Sequence, residues 1–361
     1  MSRGFNFSAG PAVLPEPVLL RAQAELLEWG GERASVMEVS HRGKAFVAMA
    51  EKAESDLRLL MGVPDDYAVL FVQGGATQHF ALLPMNLAEA GQRADYVVTG
   101  TWGKKAASEA KPHCAAVVVA DTAPSNFTTL PEAGSYAIDP TAAYAHIVAN
   151  ETINGVEFPG PIDAGAVPVV ADFSSSILSR HVDVSRYGVI YAGAQKNIGP
   201  SGLVVMLIRN DLLARRGQPR AKILSYAEHA AQGSMLNTPP TFSWYLAGLV
   251  FEWMLEQGGV AHFETENRRK AGALYAAIDG SGGFYRNPVA VPARSLMNVP
   301  FMLHDAALDA IFLKESEAAG LLALKGHRDV GGMRASLYNA LPYPAVAALI
   351  AFMVDFSKRH G

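Results

Sequence analysis

The chain has 361 residues, of which 50% are apolar and 18% are charged, and its formal net charge is −4. This composition is typical of a folded protein of two domains, and it excludes a disordered chain or a nucleic-acid binder that depends on excess positive charge. A single cysteine, Cys114, excludes an internal disulfide framework. It fits a reducing compartment, so we expect a cytoplasmic protein.

The first predicted elements follow an irregular N-terminal arm that lacks the apolar core of a signal peptide. A helix is predicted to begin near Pro15 and to end at Gly30–Gly31, with leucines at helical spacing between them. A second, amphipathic helix is predicted over Lys44–Met61, and Gly62 ends it.

Short apolar runs and helical segments then alternate along the chain. Runs with the length of strands lie at Tyr67–Val72, Tyr96–Thr99, Ala115–Ala120, Val167–Ala171, Val189–Ala192 and Leu203–Ile208. Helices are predicted at Thr77–Glu89, Trp102–Lys111 and Phe242–Gln257, and the last leads into a C-terminal domain. Apolar strands separated by helices predict an α/β fold with a mostly parallel sheet, which binds ligands beyond the carboxyl ends of its strands.

Three segments that follow predicted strands carry candidate site residues. Gln73–Thr77 is a turn of mostly small residues that opens a helix, where backbone N–H groups can approach an anion. Asp172 could pair with a cationic ring nitrogen, although a helix cap or a turn is the more common role for such an aspartate. Lys196 lies among small uncharged residues, which suits Schiff-base chemistry, and a solvated loop lysine is the alternative.

Together these features are the parts that hold pyridoxal 5′-phosphate. In that arrangement the lysine forms the imine, the aspartate keeps the pyridine nitrogen protonated, and the helix N-terminus binds the phosphate. Trp102 could stack on the ring, although a core position is the more common fate of a tryptophan.

Several sequence blocks resemble the phosphoserine aminotransferases, a family of fold type I, class V pyridoxal-phosphate enzymes. These blocks are Phe5–Pro15, Val39–Lys44, Pro84–Asn86, Asn150–Val156, Gln195–Asn197, Asn237–Pro240 and Gly326–Ser336. The resemblance covers nearly the whole chain. It implies an N-terminal arm (1–15) that joins the small domain, a large cofactor-binding domain (16–258) whose mostly parallel sheet is covered by helices, and a smaller C-terminal α+β domain (259–361).

The resemblance also implies roles for individual residues. Lys196 would bind the cofactor, Asp172 would pair with its pyridinium nitrogen, and Trp102 would stack on its ring. Further cofactor contacts are implied for Ala76, Thr77, Thr152, Gln195, Asn237 and Thr238. The last two would come from the partner subunit, so a homodimer with shared active sites is implied. One departure is Ala76–His79, where many relatives have more glycine and often arginine, and an arginine contact to substrate is missing.

The implied substrate carries both a carboxylate and a phosphate, so its site needs two separate cationic groups, and arginine suits both. By resemblance, Arg334 would bind the α-carboxylate. The pairs His41–Arg42 and His327–Arg328 would bind the phosphate, or the distal carboxylate of glutamate. A single His–Arg pair is usually a solvated surface, but two pairs in matching blocks favour an anion site.

The implied activity is a reversible transamination between L-glutamate and 3-phosphohydroxypyruvate, which gives O-phospho-L-serine and 2-oxoglutarate in serine biosynthesis. In many bacteria the family also acts on a phosphorylated four-carbon keto acid of vitamin B6 synthesis, and the sequence does not decide this. The alternatives are a class V aminotransferase of the alanine/serine–glyoxylate type, a cofactor-free Schiff-base lyase, or a non-enzymatic protein that binds anions. A cysteine desulfurase is disfavoured because Cys114 lies among apolar residues well before Lys196. We expect no metal site and no nucleic-acid or membrane partner.

Overall fold

A computed structural model describes residues 3–215, 217 and 221–361, so residues 1 and 2 of the predicted arm lie outside it. The helices are α1 (Glu16–Ala24), α2 (Lys44–Met61), α3 (Ala76–Leu87), α4 (Thr101–Ala110), α5 (Asn210–Leu213), α6 (Tyr226–Ala231), α7 (Thr241–Glu256), α8 (Gly259–Asp279), α9 (Asp309–Ala318) and α10 (Tyr343–His360). The strands are β1 (Phe5–Asn6), β2 (Tyr67–Gly74), β3 (Arg93–Val98), β4 (Ala115–Asp121), β5 (Ala145–Val148), β6 (Asn150–Glu151), β7 (Val156–Glu157), β8 (Val169–Asp172), β9 (Val189–Gly193), β10 (Gly202–Arg209), β11 (Tyr285–Arg286), β12 (Asn298–Leu303), β13 (Leu321–Leu322) and β14 (Met333–Ser336).

A seven-stranded sheet in the described part of the chain has the order β2-β10-β9-β8-β5-β3-β4. Strands β4, β3, β5, β8 and β9 pair in parallel, whereas β10 is antiparallel to both of its neighbours, β9 and β2. Strand β2 therefore runs in the same direction as the parallel block. The prediction of an α/β fold with a mostly parallel sheet is confirmed, and the carboxyl ends of six strands meet at one edge.

The six predicted strands and the helix over Lys44–Met61 are all present, and Gly62 ends that helix in the left-handed conformation, with φ 60°. Strand β5 is absent from the prediction, because its four residues include the polar His146. That histidine is buried, and its Nε2 atom lies 2.8 Å from the Tyr191 hydroxyl oxygen, so tertiary structure supplies the missing partner.

The first predicted helix is wrong at its C-terminal end, because α1 stops at Ala24 rather than at Gly30–Gly31. The carboxylate of Glu25 accepts hydrogen bonds from Arg21 Nε at 3.0 Å and from the Tyr245 hydroxyl at 2.6 Å. These contacts hold Glu25 at the end of the helix. Leu27, which fits the helical spacing, is 86% exposed.

Apolar side chains cover both faces of the central sheet and form a further core in the C-terminal part. On one face, α2 and α7 pack on the sheet, and the rings of Phe71 and Trp244 stack 4.6 Å apart. Helices α3 and α4 cover the other face. The C-terminal core joins α8 and α10 to a sheet of order β11-β12-β14, and the N-terminal arm contributes Phe7 to it.

The N-terminal arm also pairs with the C-terminal part through β1 and β13, with Phe5 opposite Leu321. The predicted boundary at 258/259 coincides with the first residue of α8. The division into 1–15, 16–258 and 259–361 stays a prediction. None of the described helices combines the length and apolarity that crossing a membrane requires.

Buried asparagines connect loops of the central sheet to the C-terminal part. Asn150 Nδ2 donates to Asn298 Oδ1 at 2.8 Å, and Asn339 N donates to Asn197 Oδ1 at 2.9 Å. Asn267 Nδ2 donates to Asn339 Oδ1 at 2.8 Å. Asn150 directly precedes residues 151–152, and Asn197 directly follows residue 196. The contacts therefore fix the C-terminal part relative to the carboxyl edge of the central sheet.

Candidate active site

The residues with predicted roles in chemistry lie at the carboxyl edge of the central sheet. Asp172 is the last residue of β8, Lys196 is the third residue after β9, and Trp102 lies in the first turn of α4, after β3. Because these strands run in parallel, their carboxyl ends share one edge of the sheet. This is the edge at which we predict the ligand.

The Lys196 amine contacts a hydroxyl group and an aromatic ring. Its Nζ atom donates a hydrogen bond to Thr152 Oγ1 at 2.6 Å and lies 5.5 Å from the centroid of the Trp102 ring. Burial lowers the pKa of this amine to about 8, although the carboxylates of Asp172 and Glu151 favour its protonated form. A minor fraction of the amine is therefore neutral near physiological pH, and this is the form that acts as a nucleophile or base.

The Asp172 carboxylate is buried, with 4% of the residue exposed. Its Oδ1 atom accepts a hydrogen bond from Ser174 N at 2.8 Å, and the Ser174 hydroxyl accepts one from Gly193 N at 3.0 Å. Burial raises the pKa of Asp172, and the positive charge of Lys196 opposes this shift. A buried carboxylate in this position is suited to pair with a cation of a bound ligand.

Glu151 is a site residue that the sequence analysis missed. It is fully buried, and its Oε1 and Oε2 atoms accept hydrogen bonds from Gly103 N at 2.7 Å and Trp102 N at 3.0 Å. Burial raises the pKa of Glu151 to about 7. Its position in the Asn150–Val156 block, directly before Thr152, is the only signal in the sequence that could have drawn attention to it.

The predicted phosphate-binding turn lies where β2 meets α3. Ala76 and Thr77 are the first residues of α3, and Gly74 before them has φ 105°, a conformation that favours glycine. Lys105 Nζ donates a hydrogen bond to Thr77 Oγ1 at 3.3 Å and lies 5.6 Å from the Trp102 ring centroid. Lys105 is therefore a positive charge beside this turn that the sequence analysis did not predict.

Arg334 reaches the same region from the C-terminal part. It lies in β14, opposite Pro300 of β12, and its Nη1 atom donates to the Thr152 carbonyl oxygen at 3.3 Å. Thr152 therefore accepts one hydrogen bond from Lys196 on its hydroxyl oxygen and another from Arg334 on its carbonyl oxygen. The fold brings the predicted carboxylate-binding arginine next to the predicted catalytic lysine.

The two predicted phosphate-binding pairs have local contacts of their own in the described part of the chain. Arg42 is exposed and donates from Nη2 to the Met235 carbonyl oxygen at 3.4 Å. His327 Nδ1 accepts from Asp329 N at 3.2 Å, and the Arg328 side chain is 91% exposed. Among the described residues, no hydrogen bond or ion pair connects the His41–Arg42 pair with the His327–Arg328 pair. None connects either pair with Lys196.

Asn237 and Thr238 form no hydrogen bond with Lys196 within the described part of one chain. The Thr238 carbonyl oxygen accepts a hydrogen bond from Gln73 Nε2 at 2.8 Å, and Asn237 lines a small cavity with Gln73 and His79. These contacts place the segment beside the strand that precedes the predicted phosphate turn.

Two buried polar atoms of the site, Trp102 Nε1 and Gln195 Oε1, have no hydrogen-bond partner within residues 3–215, 217 and 221–361. Buried polar groups are normally paired, so both atoms fit a site that receives a polar ligand. An amine of lowered pKa, a buried carboxylate, an indole and a helix N-terminus are also the groups that pyridoxal 5′-phosphate requires. The residues present therefore fit this cofactor.

Comparisons with known proteins agree with this geometry. The family described as "Aminotransferase class-V" matches residues 4–349. The chain is 60% identical over 361 residues to a phosphoserine aminotransferase of Stenotrophomonas maltophilia, with all of both chains covered. A solved phosphoserine aminotransferase from Bacillus circulans subsp. alkalophilus is 46% identical with a TM-score of 0.97, and covers 99% of each chain. A phosphoserine aminotransferase from Trichomonas vaginalis, solved with the cofactor bound, is 40% identical with a TM-score of 0.94, covering 98% of this chain and 100% of its own.

Proposed function

The chain belongs to the class-V aminotransferase family, and from this premise we propose that its carboxyl-edge site catalyses the phosphoserine aminotransferase reaction. It transfers an amino group reversibly between L-glutamate and 3-phosphohydroxypyruvate, which gives 2-oxoglutarate and O-phospho-L-serine. Its cofactor is pyridoxal 5′-phosphate. The observation that carries this proposal is the environment of the Lys196 amine. Thr152 holds the amine beside Trp102, and the amine interacts electrostatically with the Asp172 carboxylate.

Lys196 is both the residue that holds the cofactor and the base of the reaction. When bound, pyridoxal 5′-phosphate supplies a ring that delocalises the negative charge formed at the α-carbon of the amino acid. The Lys196 Nζ atom would accept the α-proton of the amino acid as the general base and would later give a proton back as the general acid. Its lowered pKa keeps a fraction of the amine neutral for this role, and Thr152 Oγ1 orients the amine.

Asp172 and Trp102 prepare the site for this proton transfer. Because Asp172 is buried, its negative charge is little screened by water and can hold a proton on the ring nitrogen of the cofactor. The indole of Trp102 covers the site and excludes water. The first residues of α3, Ala76 and Thr77, would bind the cofactor phosphate together with Gln195.

The substrate is bound by two separate groups of cations. Arg334, which already contacts Thr152, binds the α-carboxylate with its planar fork. The phosphate, or the distal carboxylate of glutamate, binds to His41, Arg42, His327 and Arg328. The exposure of Arg42 and Arg328 supports this assignment, because neither guanidinium forms a buried ion pair among the described residues.

The active site is shared between two copies of the chain in a homodimer. Support comes from the two His–Arg pairs, which are unconnected in the described part of one chain, and from Asn237 and Thr238, which contact Gln73 rather than Lys196. The chain acts in the cytoplasm, where its buried, free Cys114 would stay reduced.

Mixing two impaired variants, assayed at a 3-phosphohydroxypyruvate concentration well below KM, tests the shared site. In a mixture of Lys196→Ala and Arg328→Ala subunits, heterodimers regain one complete site if Arg328 serves its partner, so activity returns to roughly a quarter of the wild-type value. If each chain uses its own Arg328, no complete site forms and activity stays at roughly a twentieth of the wild-type value. A monomer in sedimentation measurements would also contradict the homodimer.

The visible absorption spectrum of the purified protein tests the reaction itself. We expect O-phospho-L-serine to remove the absorption band of the bound cofactor and 2-oxoglutarate to restore it. A protein that ignores O-phospho-L-serine but responds to alanine or serine would instead be a transaminase of the alanine/serine–glyoxylate type. A protein that takes up no pyridoxal 5′-phosphate would overturn the cofactor assignment.

A further inference from the structure

Glu151 lies in the β6–β7 hairpin and reaches the N-terminus of α4. Its two carboxylate oxygens accept the backbone N–H groups of Trp102 and Gly103, at 3.0 and 2.7 Å. These N–H groups belong to the first turn of the helix, where no intrahelical acceptor exists and where a negative charge is favourable. Within the described residues, Glu151 forms no ion pair with a cation.

Two glycines make room for the Glu151 side chain. A Cβ atom at Gly100 would lie 2.6 Å from Glu151 Cγ, and one at Gly103 would lie 3.2 Å from Glu151 Oε1. The first distance is a clash, so a side chain at position 100 would displace the carboxylate. The segment from Gly100 to Gly103 is therefore shaped around a buried glutamate.

Another buried glutamate of the same hairpin shows what an ordinary structural role looks like. Glu157 is paired with Arg180 at 3.1 Å, and its other oxygen accepts the Leu296 N–H at 2.8 Å. Glu151 has no such cation. The charged groups that act on it are the carboxylate of Asp172, at the end of β8, and the amine of Lys196, after β9. Burying a carboxylate without a paired cation is costly, which sets Glu151 apart from Glu157.

We propose, on the basis of the function above, that Glu151 is a positioning residue for the transamination. By holding the first turn of α4, it keeps the Trp102 indole over the Lys196 amine. When its carboxylate is ionised, Glu151 also places a second negative charge, besides that of Asp172, near that amine. Because Glu151 directly precedes Thr152, which receives the Lys196 hydrogen bond, one hairpin sets both the ring and the hydroxyl that contact the amine.

The variant Glu151→Gln tests this role, with Glu157→Gln as the matched control. Glutamine keeps one acceptor oxygen but loses the charge, and we expect kcat to fall about 10-fold while KM for glutamate changes less than about twofold. We also expect an altered visible circular dichroism band of the bound cofactor, and a titration of its absorption displaced to lower pH. The control variant loses thermal stability but keeps kcat, the dichroism band and the titration.

A double variant shows whether Glu151 acts through Trp102. If it does, Glu151→Gln adds little to the loss that Trp102→Phe already causes, whereas effects that multiply would contradict a role through Trp102. A Glu151→Gln protein that behaves as the Glu157→Gln control in all readouts would reduce Glu151 to a structural residue.

If Glu151→Gln does not yield folded protein, Gly100→Ala displaces the carboxylate without removing its charge, and a normal kcat and dichroism band in that variant overturn the proposal. The wild-type response to O-phospho-L-serine distinguishes a failure of the proposed function from a failure of the role of Glu151. If the wild type does not respond, the proposed function fails. If it responds and the variants match it, only the role of Glu151 fails.

Discussion

The buried part of the site around Lys196 and the part formed by the two His–Arg pairs, whose arginines are exposed, are held in different ways. Lys196, Asp172 and Glu151 sit at strand ends or in a hairpin, and backbone or hydroxyl groups fix each of them. Arg42 and Arg328 are exposed, and their contacts are a long bond to a carbonyl oxygen and an ion pair within the same loop.

This difference predicts that the two parts of the site contribute to different steps of the reaction. Charges in a buried site interact strongly because little water screens them, whereas exposed charges interact weakly until a ligand covers them. One chain therefore preorganises the groups that move the proton. The groups that recognise the substrate anion depend on the ligand and on the second subunit. Variants of the buried part should change kcat, and variants of the exposed part should change KM.

Replacing Lys196 should have the largest effect. Lys196→Ala removes the base and the residue that holds the cofactor, and we expect kcat/KM to fall more than about 1,000-fold. The measurement is steady-state transamination, with circular dichroism to verify the fold and Lys111→Ala as a control at an exposed lysine. Measurable turnover near the wild-type rate would reject the assigned role.

Asp172→Ala should come next. The variant should still bind the cofactor, but without the buried negative charge the proton transfer should slow about 100-fold or more. Single-turnover spectra with glutamate measure this step directly. A near-normal rate would mean that Asp172 is a turn residue, the alternative that the sequence leaves open.

Glu151 should make stability depend on pH. Burial raises its pKa from 4.5 to about 7, so the folded protein retains this proton at pH values where the unfolded chain has released it. The Glu151 contribution to the free energy of unfolding is therefore full below about pH 4.5, and it falls by about 3 kcal/mol as the pH rises to 7. Urea unfolding of wild type and Glu151→Gln at several pH values measures the difference. A difference that does not change with pH contradicts the buried charge.

The exposed pairs should behave in the opposite way to the buried group. Arg42→Ala and Arg328→Ala should each raise KM for 3-phosphohydroxypyruvate about 10-fold, with kcat little changed, because each removes one charge-assisted contact. Arg286→Ala, at an exposed arginine of β11, serves as the control. If kcat falls instead of KM rising, the division between the two parts of the site does not hold.

The smallest effect is expected for Lys105→Met. This change removes a positive charge beside Thr77, and we expect the apoenzyme to bind pyridoxal 5′-phosphate a few-fold more weakly, with less dependence on salt. Titration of the apoprotein with the cofactor measures the affinity, and Lys111→Met, at the end of the same helix, is the control. Equal affinities would show that the backbone N–H groups suffice.

Much of the fold follows from the sequence. The apolar runs predict six strands of the central sheet, because strands covered on both faces need apolar side chains at every position. The places of Asp172 and Lys196 directly after such runs predict that both lie at the carboxyl edge. The substrate class follows from the resemblance of whole sequence blocks, since no single residue among them is specific.

Only the tertiary structure shows what surrounds these residues. The sequence does not reveal that Glu151 is buried, because its partners, the N–H groups of Trp102 and Gly103, lie 49 and 48 residues away along the chain. The contact between Lys105 and Thr77, which lie 28 residues apart in the chain, is equally non-local. Local patterns report which side of a helix or strand is apolar. Whether a charged side chain there is solvated or enclosed depends on which distant segments pack against it.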